Sequence, residues 1–165
     1  MTPIEQAILT WVHLISAAIW VGGSLFIGVV FSPLLKTMSN SIEERLNIMI
    51  KVGKRFNKIA VPSLIILMGT GLYNSHALLS KPDLLVATSY GIFLIIKIIL
   101  VIALIIAYTI HVRIIRKDVE EKIMSRQMPE KQIQKLRKKI IILGEVTVIL
   151  SVSILFFASL LNAGV

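Results

Sequence analysis

The chain contains no cysteine, which removes disulfides, thiolate metal sites and thiol nucleophiles together and leaves the redox compartment undetermined. Charge is also scarce. Asp, Glu, Lys and Arg make up 16% of the 165 residues, against roughly 25% in an average soluble domain. Apolar residues reach 56%, above the roughly 45–50% of water-soluble chains, and mean hydropathy is +0.85. Such an excess needs an apolar solvent, and the bilayer is one. At about 20 residues per span, the length accommodates roughly four membrane helices with their loops and leaves no room for a separate catalytic domain. Negative charge is scarcer still, with 9 acidic residues against 18 basic ones.

Four apolar stretches are expected to span the membrane, at about 4–35, 59–79, 84–115 and 140–163. Thr2 and Pro3 form a helix start. The first stretch is too long for a cleaved signal peptide and has no basic region before it, so it is expected to persist as a helix. The second has an amphipathic lead-in from Ser41 to Lys58 and contains Pro62, Gly69 and Gly71, breakers that neighbouring helices can cover. Lys81, Pro82 and Asp83 make a turn. With no internal repeat or low-complexity linker, the chain is expected to form one all-α domain, an antiparallel four-helix membrane bundle.

Sixteen of the eighteen basic residues fall in Leu34 to Lys58 and Arg113 to Lys139. Both segments follow odd-numbered spans, so the positive-inside rule places them in the cytoplasm, with both termini and the Lys81 turn outside the cell membrane. The basic residues read as topology signals that also attract anionic lipid head groups, and no nucleic-acid partner is expected. The stretch Asp118-Val119-Glu120-Glu121-Lys122 mixes signs, as in a helical extension held by i,i+4 ion pairs.

Polar groups at membrane depth are few, and each invites a role. His13 lies about nine residues below the outer end of the first stretch; 3.6-residue periodicity puts Ala17, Trp20 and Ser24 on its face. It is either a metal or cofactor ligand or a hydrogen-bonded packing residue. Lys97 lies at about the same depth on the third stretch. An ammonium there costs about 2.5–3.5 kcal/mol on insertion scales unless it faces the interior or an anion, so it is expected to face inward, on a face shared with Tyr90, Leu104, Tyr108 and His111. His76 lies near the outer interface and either completes a site with His13 and Lys97 or meets water. Toward the inner face, Glu145 is level with His111 and Arg113. A structural Glu145–Arg113 ion pair and a proton or metal relay are both open readings. Gly144, Thr147 and Ser151 form a packing stripe.

Copper(I) favours thioether and thiolate ligands. Of six Met only Met68 lies well inside a span, so no methionine ladder crosses the membrane. Imidazole also serves copper(II) and haem iron, which makes His13, His76 and, less centrally, His111 the candidate metal ligands.

Three segments resemble the copper resistance protein D (CopD) family: Lys54-Arg55-Phe56-Asn57-Lys58-Ile59-Ala60, Met68-Gly69-Thr70-Gly71-Leu72, and Tyr90-Gly91 followed by Lys97-Ile98-Ile99-Leu100. The likeness covers roughly Lys54 to Val112, and His13 with Trp20-Val21-Gly22-Gly23 is similar to the membrane helix upstream of that domain. The resemblance implies copper handling within or across a cytoplasmic membrane. His13 and Lys97 are also similar in placement to those of the HemJ-type protoporphyrinogen oxidases, which implies a b-type haem with His13 as axial ligand. Lys97 would then be a second ligand or a propionate partner, Trp20, Tyr90 and Tyr108 would flank the cofactor, and a quinone would exchange electrons with it. An accessory subunit of a larger membrane complex is a third reading, and a homo-oligomer stays open. No Ser/His/acid set, phosphate-binding glycine loop or facing carboxylate pair points to a hydrolase.

Overall fold

The computed structural model describes residues 2–39, 41–115, 121, 123, 125 and 128–164. The expected ion pairs of Asp118 and Lys122 lie outside those residues. All regular structure among the described residues is helical: α1 (Pro3–Met38), α2 (Ile42–Leu79), α3 (Pro82–Ala87), α4 (Ser89–Ile114) and α5 (Glu130–Ala163), with Glu121 and Ile123 also helical between the last two. Four of these are long and apolar enough to cross a membrane.

The helix ends follow local chemistry. Thr2 and Glu5 form a reciprocal capping box, with Thr2 N–H donating to Glu5 Oε2 (2.9 Å) and Glu5 N–H to Thr2 Oγ1 (3.3 Å), which satisfies two otherwise orphaned donors. Ser41 Oγ accepts from Glu44 N–H to start α2. The helix runs on through Pro62, which has no N–H to offer its preceding turn; the Ser63 hydroxyl donates to the Ile59 carbonyl there (2.8 Å). Gly164, with φ 74°, ends α5 in the left-handed conformation, which glycine adopts without steric cost.

Two features depart from the periodicity. Within α1, Ala18–Gly22 and Phe26–Phe31 are π-helical, so the backbone is underwound there and the 3.6-residue stripe loses phase. The buried residues of this region are Ser16, Trp20 and Val21. The third apolar stretch is also not continuous. Thr88 is extended and its hydroxyl accepts from Gly91 N–H (3.0 Å), so α4 starts afresh after α3.

The close approach of α3 to α4 depends on Gly91. A Cβ added there would lie 2.3 Å from the Leu85 carbonyl oxygen and 2.6 Å from that of Leu84. Backbone cannot rotate away as a side chain can. Gly91→Ala is expected to destabilise the protein by about 1–3 kcal/mol. Gly69→Ala, with nothing within 4 Å of its added Cβ, should be neutral or stabilising by up to about 1 kcal/mol. Thermal unfolding of both variants in one detergent checks the pair.

Contacts fix how the helices align. His13 meets Thr70, and Gly23 faces Phe56, so contact positions descend along α2 as they ascend along α1. The same holds for α4 and α5, where Phe93 approaches Phe157 and His111 lies against Gly144. The central core unites all four long helices through Trp20, Val21, Ala60, Leu64 and Leu104, with Leu150 and Ile154 packed against them. A second core, Leu46, Ile50, Ile123, Ile133 and Ile140, ties the amphipathic part of α2 to the basic start of α5. Many large apolar side chains remain exposed, among them Ile4, Trp11, Val29, Ile65, Ile99, Ile149 and Phe156. Exposure of this extent matches helices that meet lipid over their outward faces.

Candidate functional site

Two polar groups of residues stand out against this apolar background. The first joins α1, α2 and α4. Thr70 Oγ1 donates its proton to the Ile66 carbonyl (2.7 Å), as a helical threonine commonly does. Its lone pairs then accept from His13, whose Nδ1 lies 2.6 Å away. With the hydroxyl proton on the Ile66 carbonyl, the matching tautomer carries the ring proton on Nδ1 and leaves the Nε2 lone pair free. A hydrogen bond at one ring nitrogen fixes the tautomer and orientation of an imidazole that ligates through the other. The ring packs along α2 beside Gly71, where an added Cβ would make ordinary van der Waals contact, 3.8 Å from His13 Cε1. Lys97, half-buried on α4, is within electrostatic reach of the same ring. Among the described residues, no carboxylate pairs with the Lys97 ammonium.

The second group surrounds a cavity of about 150 Å³ nearer the basic end of the bundle. Its wall includes Trp20, Asn57, Tyr108, His111 and Glu145, together with Met49 from the amphipathic part of α2. Trp20 Nε1–H donates to Ser151 Oγ (3.0 Å), which donates onward to the Thr147 carbonyl (2.8 Å). The Trp20 and Tyr108 rings meet edge to face with centroids 5.0 Å apart. Tyr108 OH and His111 Nδ1 are buried without a hydrogen-bonding partner.

The expected site residues thus divide. His13 bonds to Thr70, the partner that periodicity did not name, with Lys97 within electrostatic reach of its ring. Trp20 and Tyr108 come together elsewhere, deeper in the bundle, and His111 and Glu145 join their cavity. His76 and Tyr90 are exposed. The expected Glu145–Arg113 pair does not form among the described residues: both side chains are exposed, Arg113 at the end of α4 and Glu145 on the rim of the cavity. The cavity itself lies toward the basic end and not in the half that holds His13. Among the described residues, no three His, Asp or Glu side chains gather in a way that could hold a metal ion.

Four long apolar helices, a polar pair at depth and lipid-facing outer surfaces define a multi-pass α-helical membrane protein. Residues 50–161 match copper resistance protein D (CopD), more than half of the chain, and the chain belongs to that family. It is also 30% identical over 92 residues to an uncharacterized protein of Aquifex aeolicus (strain VF5). That match covers 55% of this chain and 62% of the relative, so the chain spans less than two thirds of the relative's length. No solved structure matches.

Proposed function

We propose that this CopD-family protein handles copper at the cytoplasmic membrane through His13, with Lys97 controlling the charge of the site. The observation that carries this reading is the Nδ1 hydrogen bond to Thr70, which leaves Nε2 as a preoriented ligand inside a membrane bundle. His76, exposed near the end of α2, is the candidate second ligand. One imidazole with few companions makes a weak site, suited to passing an ion onward more than to retaining it. The test is copper uptake by the detergent-purified protein, followed by elemental analysis. Wild type should bind copper and His13→Ala should lose at least tenfold in affinity; equal uptake by both would refute the assignment.

The Lys97 ammonium supports a second reading, in which the site takes a b-type haem. An unpaired cation beside a neutral imidazole fits an anionic group better than a bare metal cation, so these two residues fit that cofactor chemically. His13 Nε2 would hold the iron and Lys97 the carboxylates, and the bound group would supply one-electron chemistry exchanged with a membrane quinone. An optical spectrum before and after dithionite tests it directly. A Soret band that shifts on reduction, lost in His13→Ala, would favour haem; a colourless preparation would exclude it.

The proposed orientation puts both termini outside and the basic segments in the cytoplasm. Because the chain has no cysteine, single introduced thiols report without background. Thr2→Cys and Gly164→Cys should react with a membrane-impermeant maleimide in intact cells, and Ser41→Cys only after lysis. The reverse pattern would invert the topology.

A further inference from the structure

Beside the cavity at the basic end lies a small cleft lined by Lys36 near the end of α1, Arg45 at the start of α2, and Arg137 on α5. Two consecutive helices, α1 and α2, and the sequence-distant α5 each bring one cation to it. Among the described residues none of the three is in an ion pair. Glu44, the acidic neighbour of Arg45, instead accepts from the Ser39 hydroxyl. The Arg45 Nε–H donates to the Ser39 carbonyl (2.6 Å), which anchors the guanidinium while its remaining donors stay available. Three like charges held at one place repel each other unless an anion joins them.

The cleft has room for about one water-sized sphere, roughly 10 Å³, so an anionic group would rest at its mouth, bridging the three side chains. Ser32, Met49 and Ile141 line both the cleft and the neighbouring cavity, so the two adjoin across these side chains. Beyond them the wall is mostly apolar, with Ile27, Gly28, Phe56 and Val148, and is interrupted by Asn57, Tyr108, His111 and Glu145. The combination of a cationic mouth and a mainly apolar interior matches an amphiphile with an anionic head. Glu145 lines the cavity one helical turn deeper than Ile141, and its carboxylate would repel an anion there, which keeps the charged end at the mouth.

We propose that this cleft and the adjoining cavity together bind an anionic phospholipid, the phosphate held by Lys36, Arg45 and Arg137 and an acyl chain passing over Ser32, Met49 and Ile141 toward Trp20. Basic pockets between membrane helices are recurrent sites for anionic head groups. The site does not involve His13 or Lys97, so its outcome is independent of the copper reading.

Trp20 provides the readout. In full-length protein carrying Trp11→Phe, Trp20 is the remaining tryptophan, and its fluorescence can be quenched by phospholipids brominated in the acyl chain. In phosphatidylcholine bilayers, brominated phosphatidylglycerol should reach half-maximal quenching at a mole fraction at least tenfold below that needed by brominated phosphatidylcholine. Neutralising the mouth with K36Q, R45Q and R137Q together should bring the two lipids within about twofold. Equal quenching by both lipids in the unmutated mouth would overturn the proposal without recourse to any variant. If millimolar inorganic phosphate abolishes the difference between the two lipids, the mouth is a free-anion site and the lipid assignment fails.

Discussion

Replacing Trp20 with alanine is expected to destabilise the protein by about 3–5 kcal/mol, the largest loss anticipated for a single side chain. In lipid there is little hydrophobic driving force between helices, because acyl chains are as apolar as leucine. What holds such a bundle is packing, together with polar contacts that have no alternative partner. Trp20 supplies both. It is 2% exposed, lies in the core that unites the four long helices, stacks edge to face on Tyr108 and donates to Ser151 on α5. Truncation leaves a void beside a cavity that already exists, so collapse of neighbours can recover only part of the loss. Trp20→Phe separates the contributions: it retains a ring and removes the indole N–H, and it should cost about 1 kcal/mol. Ser151 keeps its bond to the Thr147 carbonyl and loses only one donor. Denaturation of the three proteins in mixed micelles, followed by circular dichroism, checks the order. A Trp20→Ala protein within about 1 kcal/mol of wild type would mean that α1 is held by contacts other than this core.

Much of this architecture is legible in the sequence because bilayer thickness and helical rise convert position into depth. The capped start at Thr2, the four apolar stretches and the shared level of His13 and Lys97 all follow from counting residues at about 1.5 Å each. Counting does not give rotation about the helix axis with the same certainty. The π-helical turns at Ala18–Gly22 and Phe26–Phe31 change the phase of α1, and no residue preference announces them. Glu145 and Arg113 are level by count, yet only Glu145 reaches the cavity wall, and both side chains are exposed. Met49 and Asn57 belong by pattern to an amphipathic lead-in, and they line the cavity only because α2 continues unbroken from Ile42. The restart of α4 at Thr88 and the demand for glycine at position 91 are tertiary facts, set by how closely α3 folds back. Thr70 was within reach of inference: a hydroxyl between two glycines, on the helix expected to face His13, is a natural partner for a buried ring.

Lys97→Met should move the two readings of the site in opposite directions. Methionine is unbranched and apolar and can occupy the path of the lysine chain, so the substitution removes the charge with little change in packing. Lys97 lies within electrostatic reach of His13, so deleting its ammonium relieves a repulsion against any cation on Nε2. Copper affinity should therefore rise by about ten- to a hundredfold, and the variant should also be the more stable protein because no unpaired ammonium remains at depth. A haem site predicts the reverse, since carboxylates would lose their counter-charge and retention should fall by a similar factor, without loss of the ligand at His13. Copper titration and haem retention measured on the same two preparations decide between them. If neither quantity changes while stability rises, Lys97 does not act on the His13 site, and the imidazole would be left as a packing residue bonded to Thr70.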